Sequence, residues 1–265
     1  GPNELSVFKN LHHAKNFDDY YIAVQEFVIP PQNIVFASTS GDIALKVQGK
    51  FPLKRKSQGR FIQDGSNADN GWHGIIPAAH NPQIKNPERG FVSSANQHST
   101  DEAYPYYYNG GFDDFRGRSL NKFLDSLQQI EVADMMALQS NTFSSKASDA
   151  LPTMLRLLEW DVKNEQEEKI ITALQNWNYY YEKELIAPVV FTYWFDAFYD
   201  LVWDEIDAKE KELSVDLLKP ETWRTIALLI DTPENSFFDI LTTQKVEQAK
   251  DIVNQSFEIA LYKIV

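Results

Sequence analysis

Apolar residues first recur at helical spacing, with Leu5, Phe8, Leu11 and His12 on one side and Asn3 placed to cap the segment. A second helix start follows at Asn16, with Asp18 and Asp19 in the first turn, where the helix dipole favours carboxylates. Pro30-Pro31 ends this helical stretch, and the period then changes to two. Residues 33–39 and 42–49 alternate, with Ile34 and Phe36 in one run and Ile43, Leu45 and Val47 in the other. They flank Ser40-Gly41, which predicts a tight hairpin. A further short strand is predicted near 90–95, around Phe91-Val92, with Asn96 delivered to its end. From Arg116 onward the spacing is helical again. The runs are Leu120, Phe123, Leu124 and Leu127; Leu151, Leu155 and Leu158; Ile170, Ile171, Leu174 and Trp177; and Phe191, Trp194, Phe195, Phe198, Leu201 and Val202. This predicts an α+β segment over 1–112 followed by an all-helical lobe over 113–265.

Between the two patterns, residues 50–112 are rich in Gly, Pro, Asn and aromatics, too long for an idle connection and too aromatic for a disordered linker. Long ordered loops of this kind commonly carry function. The chain of 265 residues is 43% hydrophobic and 13% aromatic, enough for one sizeable core or two smaller ones. A net charge of -13 argues against a nucleic-acid partner, which needs Lys and Arg to replace counterions. No apolar run is long enough to span a membrane, and the absence of cysteine excludes disulfides, thiolate metal sites and a thiol nucleophile. The apolar stripe Val246, Ala249, Val253, Ala260, Leu261 and Ile264 runs to the last residue without a cap, so both ends are expected to be cuts within a longer protein.

Five histidines are the first candidates for metal or acid/base chemistry. His12 and His13 are adjacent and point about 100° apart on a helix, so they cannot chelate one ion as an i, i+4 pair does. His73, His80 and His98 have no ligand spacing, no Gly-x-Ser-x-Gly elbow anchors a serine triad, and no metal is expected. The basic run Lys46, Lys50, Lys54, Arg55, Lys56 and Arg60 reads as a solvated strand edge, with an anion site as the alternative. Trp72 and the tyrosines at 104 and 106–108 either line a pocket or pin a loop to the core. Asn96, behind the small residues Ser93-Ser94-Ala95, either caps a turn or presents its amide to a cleft.

Several pieces resemble one family when taken in order. They are the string from Pro31 to Ile43, then Gly49, Pro52-x-x-Arg55, Gly65, Trp72-x-Gly74, Pro77, Asn86-Pro87, Gly90-Phe-Val, Asn96 and Tyr104-Pro105. Arg116-Gly-Arg-Ser-Leu120 and the stretch from Leu138-Gln139 to Ser144 continue the match. As a set in register, they resemble the penicillin acylase (penicillin amidase) family of N-terminal-nucleophile hydrolases.

The resemblance implies that this chain is an internal segment of the family's β-chain. It would contribute antiparallel strands to an αββα core and continue into a helical lobe. It also implies hydrolysis of acyl amides through an acyl-enzyme on an N-terminal Ser, whose own amine acts as base. That Ser would lie upstream of Gly1, so the implied partners are the α-chain and the rest of the β-chain, with a small-molecule amide as substrate. By the same resemblance, Asn96 is the side-chain donor to the oxyanion and Arg116 supports it, while Phe8, Gln32 and Trp72 border the substrate. No cofactor is implied, the family's calcium-ligand positions fall at Tyr108 and near Gly59, and Asn141 replaces a signature aspartate. The implied location is periplasmic. The rival reading is an inactive relative that binds peptides or glycans through the aromatic loops.

Overall fold

The computed structural model describes residues 4–59, 62–108 and 113–264, and the chain divides into two units, 1–127 and 128–265. Asn3 and Arg60, singled out above, lie outside the described residues.

In the first unit, α1 (Glu4–His13) and α2 (Phe17–Gln25) precede a three-stranded antiparallel sheet in the order β1 (Gln32–Ala37), β2 (Ile43–Gln48), β3 (Gln83–Lys85). The Asn16 side chain accepts from the Asp19 amide at 2.9 Å, the cap that starts α2. The β1–β2 register pairs Ile34 with Lys46 and Phe36 with Ala44. Side chains alternate, so Ile34, Phe36 and Ala44 share the face that α2 covers with Tyr20 and Val24. The Tyr20 ring lies 4.8 Å from Phe36, and its hydroxyl donates to the Ile34 carbonyl at 2.8 Å. The other face carries Val35, Leu45 and Ile84, of which Val35 and Ile84 are exposed.

Two expectations are corrected here. No strand forms at 90–95; the third strand is instead Gln83–Lys85, too short and with too few apolar residues to show in the pattern. The ladder pairs Lys85 with Ala44, one residue from the end of β2, so the chain after Lys85 has run past its partner. Asn86, at φ 47°, turns it away, and its side chain accepts from the Ile43 amide at 2.9 Å. Lys46 is not on a solvated edge: alternation turns it to the helix-covered face, where it is 1% exposed.

The first unit ends with α3 (Phe115–Ser126). The second contains α4 (Val132–Gln139), α5 (Ser145–Leu157), α6 (Glu165–Gln175), α7 (Ala187–Val202), α8 (Asp204–Leu213), α9 (Thr222–Asp231) and α10 (Ala249–Ile264). Its core is the α7–α10 pair. Trp194, Phe195 and Phe198 of α7 are fully buried, as are Ile252, Val253 and Phe257 of α10. The Trp194 indole N–H donates to the Val253 carbonyl at 3.0 Å and the Ser256 hydroxyl at 3.1 Å, and its ring lies 4.7 Å from Phe257. Val246 lies outside the α10 helix and is exposed, so the terminal stripe is shorter than the sequence suggests.

At the start of α8, burial pushes the Glu205 carboxyl above its ordinary range, assisted by Asp204 and Asp239, and Glu205 Oε2 has no hydrogen-bond partner among the described residues. An acid whose folded-state pKa is raised binds more protons folded than unfolded, so stability falls as pH rises from the ordinary glutamate range through the raised value. Glu205→Gln is therefore expected to raise the melting temperature at neutral pH and to change it little below that window. An equal shift at both pH values would show that Glu205 does not titrate in this way.

Candidate functional site

Residues 93–97 cross the first turns of α3, and contacts from four residues, Arg116, Asn121, Asn33 and Gly117, hold them in place. Arg116 Nη2 donates to Asn96 Oδ1 at 2.5 Å and to the Ala95 carbonyl at 3.4 Å. The Ser93 hydroxyl donates to Asn121 Oδ1 at 2.6 Å, five residues further along the helix. From the sheet side, Asn33 Nδ2 of β1 donates to the Ser94 hydroxyl at 2.7 Å. The fourth contact is steric. Gly117 is buried, and a Cβ built on it would lie 2.8 Å from Gln97 Cβ, closer than two carbons pack. Gln97 in turn ties the loop to itself, accepting from the Ala95 amide at 2.6 Å and donating to the Ser93 carbonyl at 3.2 Å.

Asn96 therefore ends no strand. It sits in a bend at φ 62°, a left-handed conformation that Asn tolerates better than other side chains. A guanidinium only donates, so its contact fixes which end of the Asn96 amide is oxygen. The Nδ2 group with its two N–H bonds faces away from Arg116 and donates to no protein group among the described residues, and Asn96 is exposed. The result is an oriented amide donor, available to an acceptor outside the protein. Beside this loop lies a cleft of about 240 Å³, lined by residues that include Asn33, Val47, Val92, Ser93, Gln97 and His98.

The other residues singled out by sequence are elsewhere. Phe8 is half exposed on α1, edge-on to Phe27 at 6.0 Å, and Gln32 opens β1 at the surface. Trp72 is 70% exposed. No hydrogen bond or ring contact joins these three to Asn96 or Arg116 among the described residues. The tyrosines pin their loop. Tyr106 stacks on His80 and shares a 2.5 Å hydrogen bond with its Nδ1, Tyr104 is edge-on to Tyr106, and Tyr108 meets Phe51. Burial raises the Tyr104 and Tyr108 hydroxyl pKa values. Asn141 accepts from the Phe143 amide at 2.9 Å, a turn leading into Ser144, which caps α5. Among the described residues, no group of three or more His, Cys, Asp or Glu is placed to hold a metal.

Sequence reasoning did not find Asn33, Ser93, Gln97 and Asn121 as supports, since each is an ordinary polar residue until the fold brings it to α3. Gly117 did leave a signal, because a glycine inside a helical pattern marks a close approach. Gly117→Ala is expected to push Gln97 off α3, lowering stability by about 1–3 kcal/mol and misplacing Asn96. An unchanged melting temperature in that variant would show that the helix does not hold the loop.

The model of the family described as Penicillin amidase matches residues 1–264. An acyl-homoserine lactone acylase QuiP of Pseudomonas syringae pv. tomato is 29% identical over 100 residues, covering 38% of this chain and 12% of that protein. The QuiP acylase of Pseudomonas putida is 28% identical over 104 residues, 39% of this chain and 13% of its own length. A thermostable penicillin G acylase from Alcaligenes faecalis has the same fold, with a TM-score of 0.69 at 14% identity over 98% of this chain and 52% of that one. The chain thus spans about half of that acylase chain.

Proposed function

The chain belongs to the penicillin amidase family, and from that premise we propose that the complete protein is an amidohydrolase in which Asn96 binds the oxyanion of acyl transfer. The observation that carries this reading is the Arg116–Asn96 hydrogen bond, which sets the amide with Nδ2 outward. Attack on an amide carbonyl turns its oxygen into an anion, and a donor already aimed at that position stabilises the tetrahedral intermediate without reorganising. Arg116 keeps a positive charge behind the same amide, which polarises it toward donation.

The nucleophile in this reading is an N-terminal Ser on a segment outside these 265 residues. The α-chain and the remainder of the β-chain are the partners, and the periplasm is the location. Such a Ser, deprotonated by its own α-amine, attacks the carbonyl; the amine then hands its proton to the leaving nitrogen, and water releases the acyl group. The substrate is a linear acyl amide of the kind named in the relatives, an acyl-homoserine lactone or a penicillin side-chain amide.

The test expresses the complete precursor, sequences the amino terminus after self-cleavage, and assays acid release from phenylacetyl amides and N-acyl-homoserine lactones. Hydrolysis by the processed protein, with none by the 265-residue chain alone, is the expected result. An unprocessed precursor that binds peptides or glycans without cleaving amides would replace this reading with that of a binding module. Turnover by the isolated chain would overturn the assignment of the nucleophile.

A further inference from the structure

Lys46 of β2 is 1% exposed, yet its ammonium has no carboxylate partner among the described residues. Its Nζ donates to two neutral oxygens, the Ala78 carbonyl and Gln83 Oε1, each at 3.3 Å, and lies 4.8 Å from the centre of the Tyr21 ring. An ammonium carries three N–H donors, and both of these contacts are long, so the group is incompletely satisfied. A buried lysine in this state is costly unless something neutralises it.

The same side chain lines a cavity of about 480 Å³, within the size range of small-molecule sites. Phe17, Tyr20 and Tyr21 give this cavity aromatic walls. Lys85 supplies a second cation at the lining, 4.1 Å over the Phe17 ring and 3.6 Å from Asp42. Asp18 also lines the cavity but is exposed at its surface. One buried cation and one peripheral cation among aromatic rings suit a ligand that carries a single negative charge on an apolar body. The alternation of β2 turns Lys46 to the opposite sheet face from Val47, which lines the cleft beside Asn96; the two cavities are neighbours across the sheet, sharing Leu45, Gln83 and Ile84, and Lys46 belongs to this one alone.

We propose that the cavity between α2 and the β2–β3 pair binds a small aromatic or aliphatic monocarboxylate, with Lys46 and Lys85 on the carboxylate and Phe17, Tyr20 and Tyr21 around the apolar body. The ligand supplies the missing acceptor for Lys46, and the rings recognise the remainder without demanding one shape.

The experiment titrates 4-fluorophenylacetate into the complete protein and follows the bound fluorine resonances by NMR, in wild type, Lys46→Met and Lys46→Gln. The expected result is a resonance that weakens at least about tenfold in affinity in both variants, the loss of a charge-assisted hydrogen bond. Amide hydrolysis and melting temperature should hold or, for Lys46→Met, the latter should rise. Titration curves that coincide in wild type and variants would overturn the proposal, as would no saturable binding in the wild type. A large fall in the Lys46→Met melting temperature would also overturn it, because it would mean that a carboxylate elsewhere in the complete protein already pairs with the ammonium.

Discussion

If the complete protein is the amidohydrolase proposed, Asn96→Gly is expected to lower its kcat by about 10²–10³, while KM and the melting temperature change little. The size follows from the donor's task. Asn96 Nδ2 would meet an oxygen that becomes charged only as the tetrahedral intermediate forms, so its loss raises the barrier from the bound state and leaves ground-state binding largely intact. Glycine is the informative substitute because Asn96 sits at φ 62°. Alanine there combines loss of the donor with backbone strain, whereas glycine accepts the left-handed conformation without cost in sterics. If Asn96 were only the residue that permits the bend, Asn96→Gly would keep full turnover and Asn96→Ala would show a lowered melting point alone. Measuring kcat and melting temperature on both variants separates the two roles, and full activity in Asn96→Gly would remove Asn96 from the mechanism.

Trp194→Ala should be the most damaging single change in the second unit, costing about 3–5 kcal/mol of stability. Trp194 is fully buried, packs against Phe257, and its indole N–H joins α7 to α10 through Val253 and Ser256. Truncation opens a cavity between the two helices that carry the core, and stiff aromatic neighbours cannot collapse into it. Trp223, partly exposed on α9, serves as the control: its replacement by Ala should cost far less. Denaturant midpoints of the two variants are the measurement. A loss below about 1 kcal/mol for Trp194→Ala would mean that α7 and α10 do not form the core.

What the sequence made legible follows from the range of the interactions involved. The β1–β2 hairpin and α5, α6 and α7 are governed by local period and were readable. β3 was not, because a three-residue strand is defined by its partner and not by its own pattern. The helices α4, α8 and α9 also went unread: α4 is apolar on every side and α8 polar on nearly every side, so neither shows a one-faced stripe, and neither buries a residue. Asn96 and Arg116 were named through their family resemblance, and the structure joins them by a hydrogen bond. Their supports were invisible because Asn33 and Ser94 are 61 positions apart and Ser93 and Asn121 are 28 apart, and no spacing rule reaches that far. Lys46 was misread for a related reason. A charged residue in a basic run suggests solvent, while the pleat assigns its direction by parity.

The clasp between α3 and the 93–97 loop also sets an order of events during synthesis. Asn96 is translated 20 residues before the arginine that orients it and 61 residues separate Ser94 from its earlier partner Asn33. Chains leave the ribosome at roughly 5–20 residues per second, so the loop spends a second or more without its helix. During that interval the amide has no fixed direction, and any chemistry that depends on it is silent.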